Sequence, residues 1–251
     1  MLINRYCKAE YLKFKHSFYK KLLIIIPLFF VLISYLCVAN KEHDAQIYFE
    51  ALTFNWWTVF CLHFSFIISC IMSDMIDKKD HKYDLMKSKG VDLVYVLICK
   101  IIITSMFTLI LSCFYLLFFW IINIVQYGQI INVGSEITGI LLPWLSGIWI
   151  IPFTLFLSYC FSWILSLILG SCGMILGVIF APRVYWYLIP WSYPTRALCP
   201  IIKIFPNGLF ITNENDILLD PSATIWCVIL SLIIYLLIPL IASIYLKHRK
   251  E

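Results

Sequence analysis

Charge is what this 251-residue sequence has least of. Only 13% of its residues are Asp, Glu, Lys or Arg, against about 25% in soluble proteins, and no stretch has both the length and the polarity of an aqueous domain. Metal-ligand spacing is missing as well. The ten cysteines make no Cys-x-x-Cys pair and no Cys/His cluster, which argues against a zinc site. Cys61, Cys70, Cys113, Cys160, Cys172 and Cys227 sit inside apolar runs, where a thiol behaves as a small hydrophobe, so no secreted disulfide framework is expected. There is no G-x-x-x-x-G-K-[ST] phosphate loop. No cleavable leader is expected either, because the first apolar run follows residues 1–21 and no small-residue cleavage site comes after it.

What is present is apolar. Hydrophobic residues make up 62% of the chain, and a helical span needs about 20 of them. The runs predict an all-α polytopic membrane protein, one domain over residues 1–251, with transmembrane helices at 22–38, 54–72, 101–125, 137–159, 163–181 and 223–246. Residues 137–181 carry no charge and would be about 67 Å long as one helix, so they must hold two spans; the turn is expected at 160–163, with bends at Pro143 and Pro152. So delimited, the spans contain no Asp, Glu or Arg, and His63 is their one titratable group apart from Cys and Tyr. Lys100 is expected to snorkel to the surface. Ion-coupled transporters keep ionisable groups at mid-membrane; a bundle without them needs an external energy source.

Basic residues set the expected orientation. Fifteen of the nineteen Lys and Arg lie in residues 1–21, 73–100 and 247–251, which places both termini in the cytoplasm by the positive-inside rule. Residues 1–21 interleave Arg5, Lys8, Lys13, Lys15, Lys20 and Lys21 with Tyr6, Leu12, Phe14 and Phe18. That spacing suits an interfacial amphipathic helix or a solvated basic arm.

Residues 182–221 hold six of the ten prolines and a cluster of Trp and Tyr. Proline at that density rules out a long helix, and irregular backbone at membrane depth survives only when buried in protein or lining a wet cavity. The expectation is a re-entrant cap of short helices on the outer face. Span 5 carries Ser166–Gly170 and Gly173–Gly177, small-residue pairs that allow close helix approach, within this chain or to a partner.

The loop 73–92 alternates acids and bases, with Asp74, Asp77 and Asp84 against Lys78 and Lys82, and Gly90 stands where a helix C-cap belongs. It reads as a helix that docks a partner or as a solvated hairpin. An alternative is a Mg-dependent membrane transferase using Asp74, Asp77, Asp80 and Asp84, but such a site needs several converging carboxylates. Five lysines share the stretch and no second acidic motif completes it.

The stretch I-P-W-S-Y-P-T-R-A-L-C-P-I-I-K-I-F-P-N-G at 189–208 resembles the lantibiotic-immunity ABC transporter permeases, the E-type subunits related to ABC-2 type permeases. Pro190 to Pro194, Arg196, Cys199–Pro200 and Pro206–Asn207–Gly208 carry the resemblance, supported by Glu10-x-x-Lys13-x-Lys15 and the loop from Asp74 to Lys100. The resemblance implies a non-enzymatic permease in the plasma membrane of a Gram-positive producer. It would expel a lantibiotic peptide, paired with a second permease and with an ATP-binding cassette subunit that binds the ATP. Membrane lipid is its other implied partner, nucleic acid is not one, and no cofactor is implied on this chain. A coupling helix is implied within 74–89, where Asp74, Asp77, Tyr83, Asp84, Leu85 and Lys87 are the candidate contacts. In the cap, Trp186, Trp191, Tyr193, Arg196 and Asn207 are candidates for lining an outer vestibule, or for anchoring the interface and shaping a rigid lid. Gly170, Gly173 and Gly177 are the helix-packing candidates.

Overall fold

The computed structural model describes residues 2–15, 18–39, 41, 43–79 and 82–248. Among them the regular elements are helices: α1 (Leu2–Lys15), α2 (Tyr19–Val38), α3 (Ala45–Trp56), α4 (Leu62–Lys78), α5 (Lys82–Ser88), α6 (Leu93–Tyr127), α7 (Val133–Gly147), α8 (Ile150–Cys160), α9 (Trp163–Phe180), α10 (Tyr193–Ile202) and α11 (Pro221–His248). A π-helical turn, Trp57–Cys61, joins α3 to α4 without a break. Six helical stretches are long and apolar enough to cross a membrane: α2, α3 with α4, α6, α7 with α8, α9, and α11. The chain is an all-α polytopic membrane protein.

Local chemistry explains the boundaries. Asp92 accepts from Val94 N at the start of α6, Asn132 from Gly134 N and Ser135 N at the start of α7, and Ser162 from Leu165 N at the start of α9. These caps satisfy backbone donors that a helix start leaves free. Gly128 ends α6 at φ 75° and Gly90 follows α5 at φ 70°, with Val91 N bonded back to Met86 O, so the expected Gly90 cap forms. The turn between α8 and α9 falls at Phe161–Ser162, inside the expected 160–163. Pro152 has no N–H to offer one turn back, and the helix breaks there at Ile148–Trp149, where Ile151 N tightens onto Ile148 O.

The helices run longer than the apolar stretches that hydropathy marks. α3 with α4 covers 45–78 rather than 54–72, α6 begins at 93 rather than 101, and α7 at 133 rather than 137. Glu50, Asp74, Asp77, Lys100 and Glu136 therefore lie on the same continuous helices as the apolar spans, within two turns of the expected span ends. A hydropathy window stops at the first charge. A helix continues past it when the charge finds a partner.

Burial ranks the helices. The α3–α4 and α7–α8 rods are the core, each with 67% of its most apolar window buried, whereas α11 has only 17% buried. Its outward row of Ile225, Ile229, Leu232, Leu236 and Leu240 makes an apolar face far larger than a water-soluble monomer tolerates; lipid is its natural solvent. On α9 the buried residues are Ser166, Gly170, Gly173, Met174 and Gly177. Gly170 faces Ile67 of α4, and Gly173 and Gly177 face Trp191. The small-residue stripe is thus filled from within the chain, which favours internal packing over partner association for that face.

These seats differ in how they would respond to a methyl group. A Cβ on Gly170 would come 2.5 Å from the movable Cδ1 of Ile67, whereas one on Gly177 would meet the backbone carbonyl of Trp191. Gly170→Ala is expected to cost ~1 kcal/mol and Gly177→Ala ~3 kcal/mol or more, read from thermal melting of the detergent-solubilised chain. Equal melting points for the two variants would refute this account of the stripe.

Candidate functional site

Two regions at opposite ends of the bundle concentrate the polar chemistry. At one end, α1, the end of α4, α5 and the start of α6 meet; at the other, residues 181–220 cap α3, α7 and α11.

At the charged end, the acids and lysines of separate helices pair. Lys100 on α6 is 2% exposed, and its Nζ lies 2.6 Å from Asp77 and 3.7 Å from Glu10. It also donates to Ser73 O at 2.8 Å. Lys13 on α1 lies 2.5 Å from Glu10 and 2.7 Å from Asp77. One turn before Asp77, Asp74 receives Lys78 at 3.1 Å, Ser158 Oγ of α8 at 2.6 Å and Tyr83 OH of α5 at 2.7 Å. Three buried carboxylates therefore balance three lysines, and the network ties together α1, α4, α5, α6 and α8. A cavity of about 20 Å³ beside Asp74, Tyr83 and Lys100 has room for about one water, too little for an organic substrate.

This geometry corrects two expectations. Lys100 does not snorkel outward, because its ammonium is held inside by Asp77. Asp74 and Asp77 are 1% and 0% exposed, and Tyr83 turns its hydroxyl inward to Asp74, so these three are internal anchors and not surface contacts for a partner. Residues 2–15 form the expected amphipathic helix and not a solvated arm: Glu10 and Phe14 are buried against the bundle, while Ile3, Tyr11 and Leu12 stay exposed. The Cys7, Glu10 and Phe14 face of α1 docks onto α6, with Tyr6 stacked on Tyr95, Tyr11 stacked on Phe107 and Phe14 tilted against Phe107. Of the remaining loop candidates, Asp84 and Leu85 are exposed, Leu85 at 54%. The side chain of Lys87 and all of Asp80 lie outside the described residues.

Titration outside the spans reflects the same network. Burial would lower the Lys13 ammonium, but Glu10 and Asp77 outweigh it and hold its pKa above the ordinary 10.5. Burial, then Asp74 and Asp77, push the Tyr83 phenol up from its ordinary 10.0. Both groups have folded pKa values above their unfolded ones. Their contribution to stability is therefore complete below about pH 10 and is lost as pH rises from there through the raised values. Melting of the wild type is expected to be insensitive to these groups from pH 7 to 9 and to fall in alkali, with a shallower alkaline fall in Tyr83→Phe. An unchanged alkaline slope in that variant would remove Tyr83 from the network.

At the capped end, short helical turns at Trp186–Leu188 and Pro190–Ser192 lead into α10, as expected for a re-entrant cap. Residues 193–199 are buried throughout. Thr224 Oγ1 of α11 donates to Ala197 O at 3.0 Å, and Asn55 Nδ2 donates to Pro206 O at 3.0 Å. Arg196 is 3% exposed and donates to Ile217 O at 2.7 Å, while Tyr193 OH donates to Tyr187 O at 2.7 Å. Trp191 stands edge-on to Trp149 and Phe153, with ring centroids 5.0 and 5.6 Å away. Trp186 packs against Tyr193 at 5.9 Å. Trp191, Tyr193 and Arg196 are thus parts of a packed plug and not the walls of an open vestibule. Asn207 alone of the five is an exposed side chain, accepting from Leu209 N at 3.2 Å.

The π-helical turn links the two ends. Extra carbonyls freed by such a turn need donors, and His63 Nδ1 donates to Thr58 O at 2.8 Å. The turn sits in the α3–α4 rod, which holds Asp74 and Asp77 at its far end. Phe66 of the same rod and Pro194 of the cap converge on Gly147.

Sequence reasoning passed over Glu136, which is fully buried and accepts from Trp120 Nε1 at 2.6 Å. It also missed the partners Lys13, Lys78 and Ser158. A charged residue within one or two turns of a span end was the available signal. Against family models, curated proteins and solved structures, the chain has no match.

Proposed function

We propose that this chain is the permease subunit of an ABC transporter that expels a lantibiotic peptide from the plasma membrane, with both termini in the cytoplasm. The observation that carries this reading is α5. It presents Leu85 outward beside Asp84, while Tyr83 ties it to Asp74 on the rod that runs to the cap. A short helix exposed on one side and bolted to a core span on the other is suited to receiving a push. The chain has no phosphate loop, so the push would come from a separate ATP-binding subunit, and a second permease would complete the pore. Movement of α5 would reach the cap through α4 and the π-helical turn, displacing the Trp191 plug to admit peptide. The transferase reading is disfavoured because Asp74 and Asp77 are already engaged by lysine, tyrosine and serine groups, which leaves them unsuited to converge on a metal.

Tagged chain purified in mild detergent from its native membranes is expected to bring down an ATP-binding cassette subunit, and Leu85→Glu to lose it with the chain still folded. Cells lacking the chain are expected to become sensitive to the lanthionine peptide. Peptide clearance by the chain alone in liposomes without nucleotide would overturn the proposal, as would unchanged resistance in the deletion strain.

A further inference from the structure

Two thiols that sequence spacing leaves unrelated meet where α1 lies on α6. Cys7 Sγ and Cys99 Sγ are 2.9 Å apart although 92 positions separate them in the chain, and both are free thiols. Cys99 also points at Ile3 O, 3.7 Å away. The pair is kept in register on both sides. Tyr6 stacks on Tyr95 with centroids 6.0 Å apart, and Phe14 meets Phe107 at 4.9 Å. Between them, Glu10 faces Lys100 at 3.7 Å. The two helices run in the same direction through these contacts, so a shift of α1 that separated the sulfurs would also break the buried ion pairs.

We propose that Cys7 and Cys99 form a reversible disulfide that locks α1 onto α6. A disulfide needs its sulfurs about 2 Å apart, so closure takes a movement of under ~1 Å, within reach of side-chain rotation. Exposure divides the roles. Cys7 is partly exposed and Cys99 is fully buried, so Cys7 meets the oxidant and Cys99 resolves it. The oxidant is a low-molecular-weight disulfide. The Cys7 thiolate attacks one of its sulfurs, breaking that S–S bond and releasing one small thiolate. The Cys99 thiolate then attacks Cys7 Sγ in the mixed disulfide, and the second small thiolate leaves. Two protein thiols and one small disulfide become one protein disulfide and two small thiols, with two electrons passed to the reagent. The lock would hold α1, and with it Glu10 and Lys13, against the rod that bears Asp77. The inference rests on the geometry of α1 and α6 and is independent of the transport reading.

Oxidised glutathione, applied to the folded full-length chain in detergent, is the test. After acid quenching, the chain is alkylated in denaturant and its peptides are mapped by mass spectrometry. A linked Cys7–Cys99 peptide lacking two hydrogens is expected, along with loss of alkylation at both positions and its return after dithiothreitol. Cys37, Cys113 and Cys172 should gain no bond to one another. In Cys99→Ser, Cys7 should stop at the mixed disulfide with glutathione; in Cys7→Ser, Cys99 should remain a thiol. The wild-type map decides by itself should either variant fold poorly. Cys7 found joined to glutathione beside a free Cys99 in the wild type, or both thiols found free, would overturn the proposal.

Discussion

Replacing Lys100 with methionine is expected to cost roughly 3–5 kcal/mol of stability, the range for stranding a buried charge by removing its partner. The size follows from burial. Lys100 is 2% exposed, and its partners Asp77 and Glu10 are 0% and 2% exposed. Methionine fills much of the same volume, so the loss would come from electrostatics and not from a cavity. Lys13 still reaches Asp77 at 2.7 Å, which keeps the cost from rising further. Two companions make the result interpretable. Lys100→Met combined with Asp77→Leu should recover part of the loss, since replacing both members of a buried pair with apolar groups is often neutral, and the double-mutant cycle isolates their coupling. Lys79→Met, at an exposed lysine just past α4, should stay within about 0.5 kcal/mol. Denaturation followed by tryptophan fluorescence in detergent reads all three. If Lys100→Met is as mild as Lys79→Met, the network is not a structural clamp.

Trp191→Ala is the second large effect, roughly 3–5 kcal/mol. Its ring fills the space that Gly173 leaves on α9 and stands edge-on to Trp149 and Phe153. Truncation would open a cavity where α9, α8 and the cap meet, and those elements could collapse into it only by moving Gly177 away from the Trp191 carbonyl. Asn207→Ala offers the contrast. Asn207 is exposed and makes one local bond to Leu209 N, so a loss of about 1 kcal/mol or less is expected. The pair separates plug from vestibule wall. A residue that only touched a passing peptide would leave the melting point unchanged on truncation and change resistance alone. Trp191→Ala with an unaltered melting point would return Trp191 to the vestibule.

Local features of the chain were legible because their causes are local. Apolar runs announce helices that need lipid, and Gly90 announces a helix end through the backbone freedom of its own residue. The prolines of 182–221 rule out a long helix wherever the segment lies. Glycines at 170, 173 and 177 announce a face that something must approach closely, though nothing in their spacing says that Trp191 is what approaches. Asp74, Asp77 and Tyr83 were read as a surface for the same reason that Lys100 was read as a snorkel. A charge seen alone is expected to seek water, and its partner cannot be seen in a window of neighbours.

The sequence by itself determined the class, the six crossings, the turn at Phe161–Ser162 and the broken cap, since each depends on backbone and solvent preferences within a few residues. Only the tertiary structure decided which charges were buried, which aromatics formed the plug and which thiols met. Lys13 is 64 positions from Asp77, Asp74 is 84 from Ser158 and Cys7 is 92 from Cys99. Pairing across such distances costs nothing in charge or desolvation until the helices pack, and no property of either residue alone selects the other.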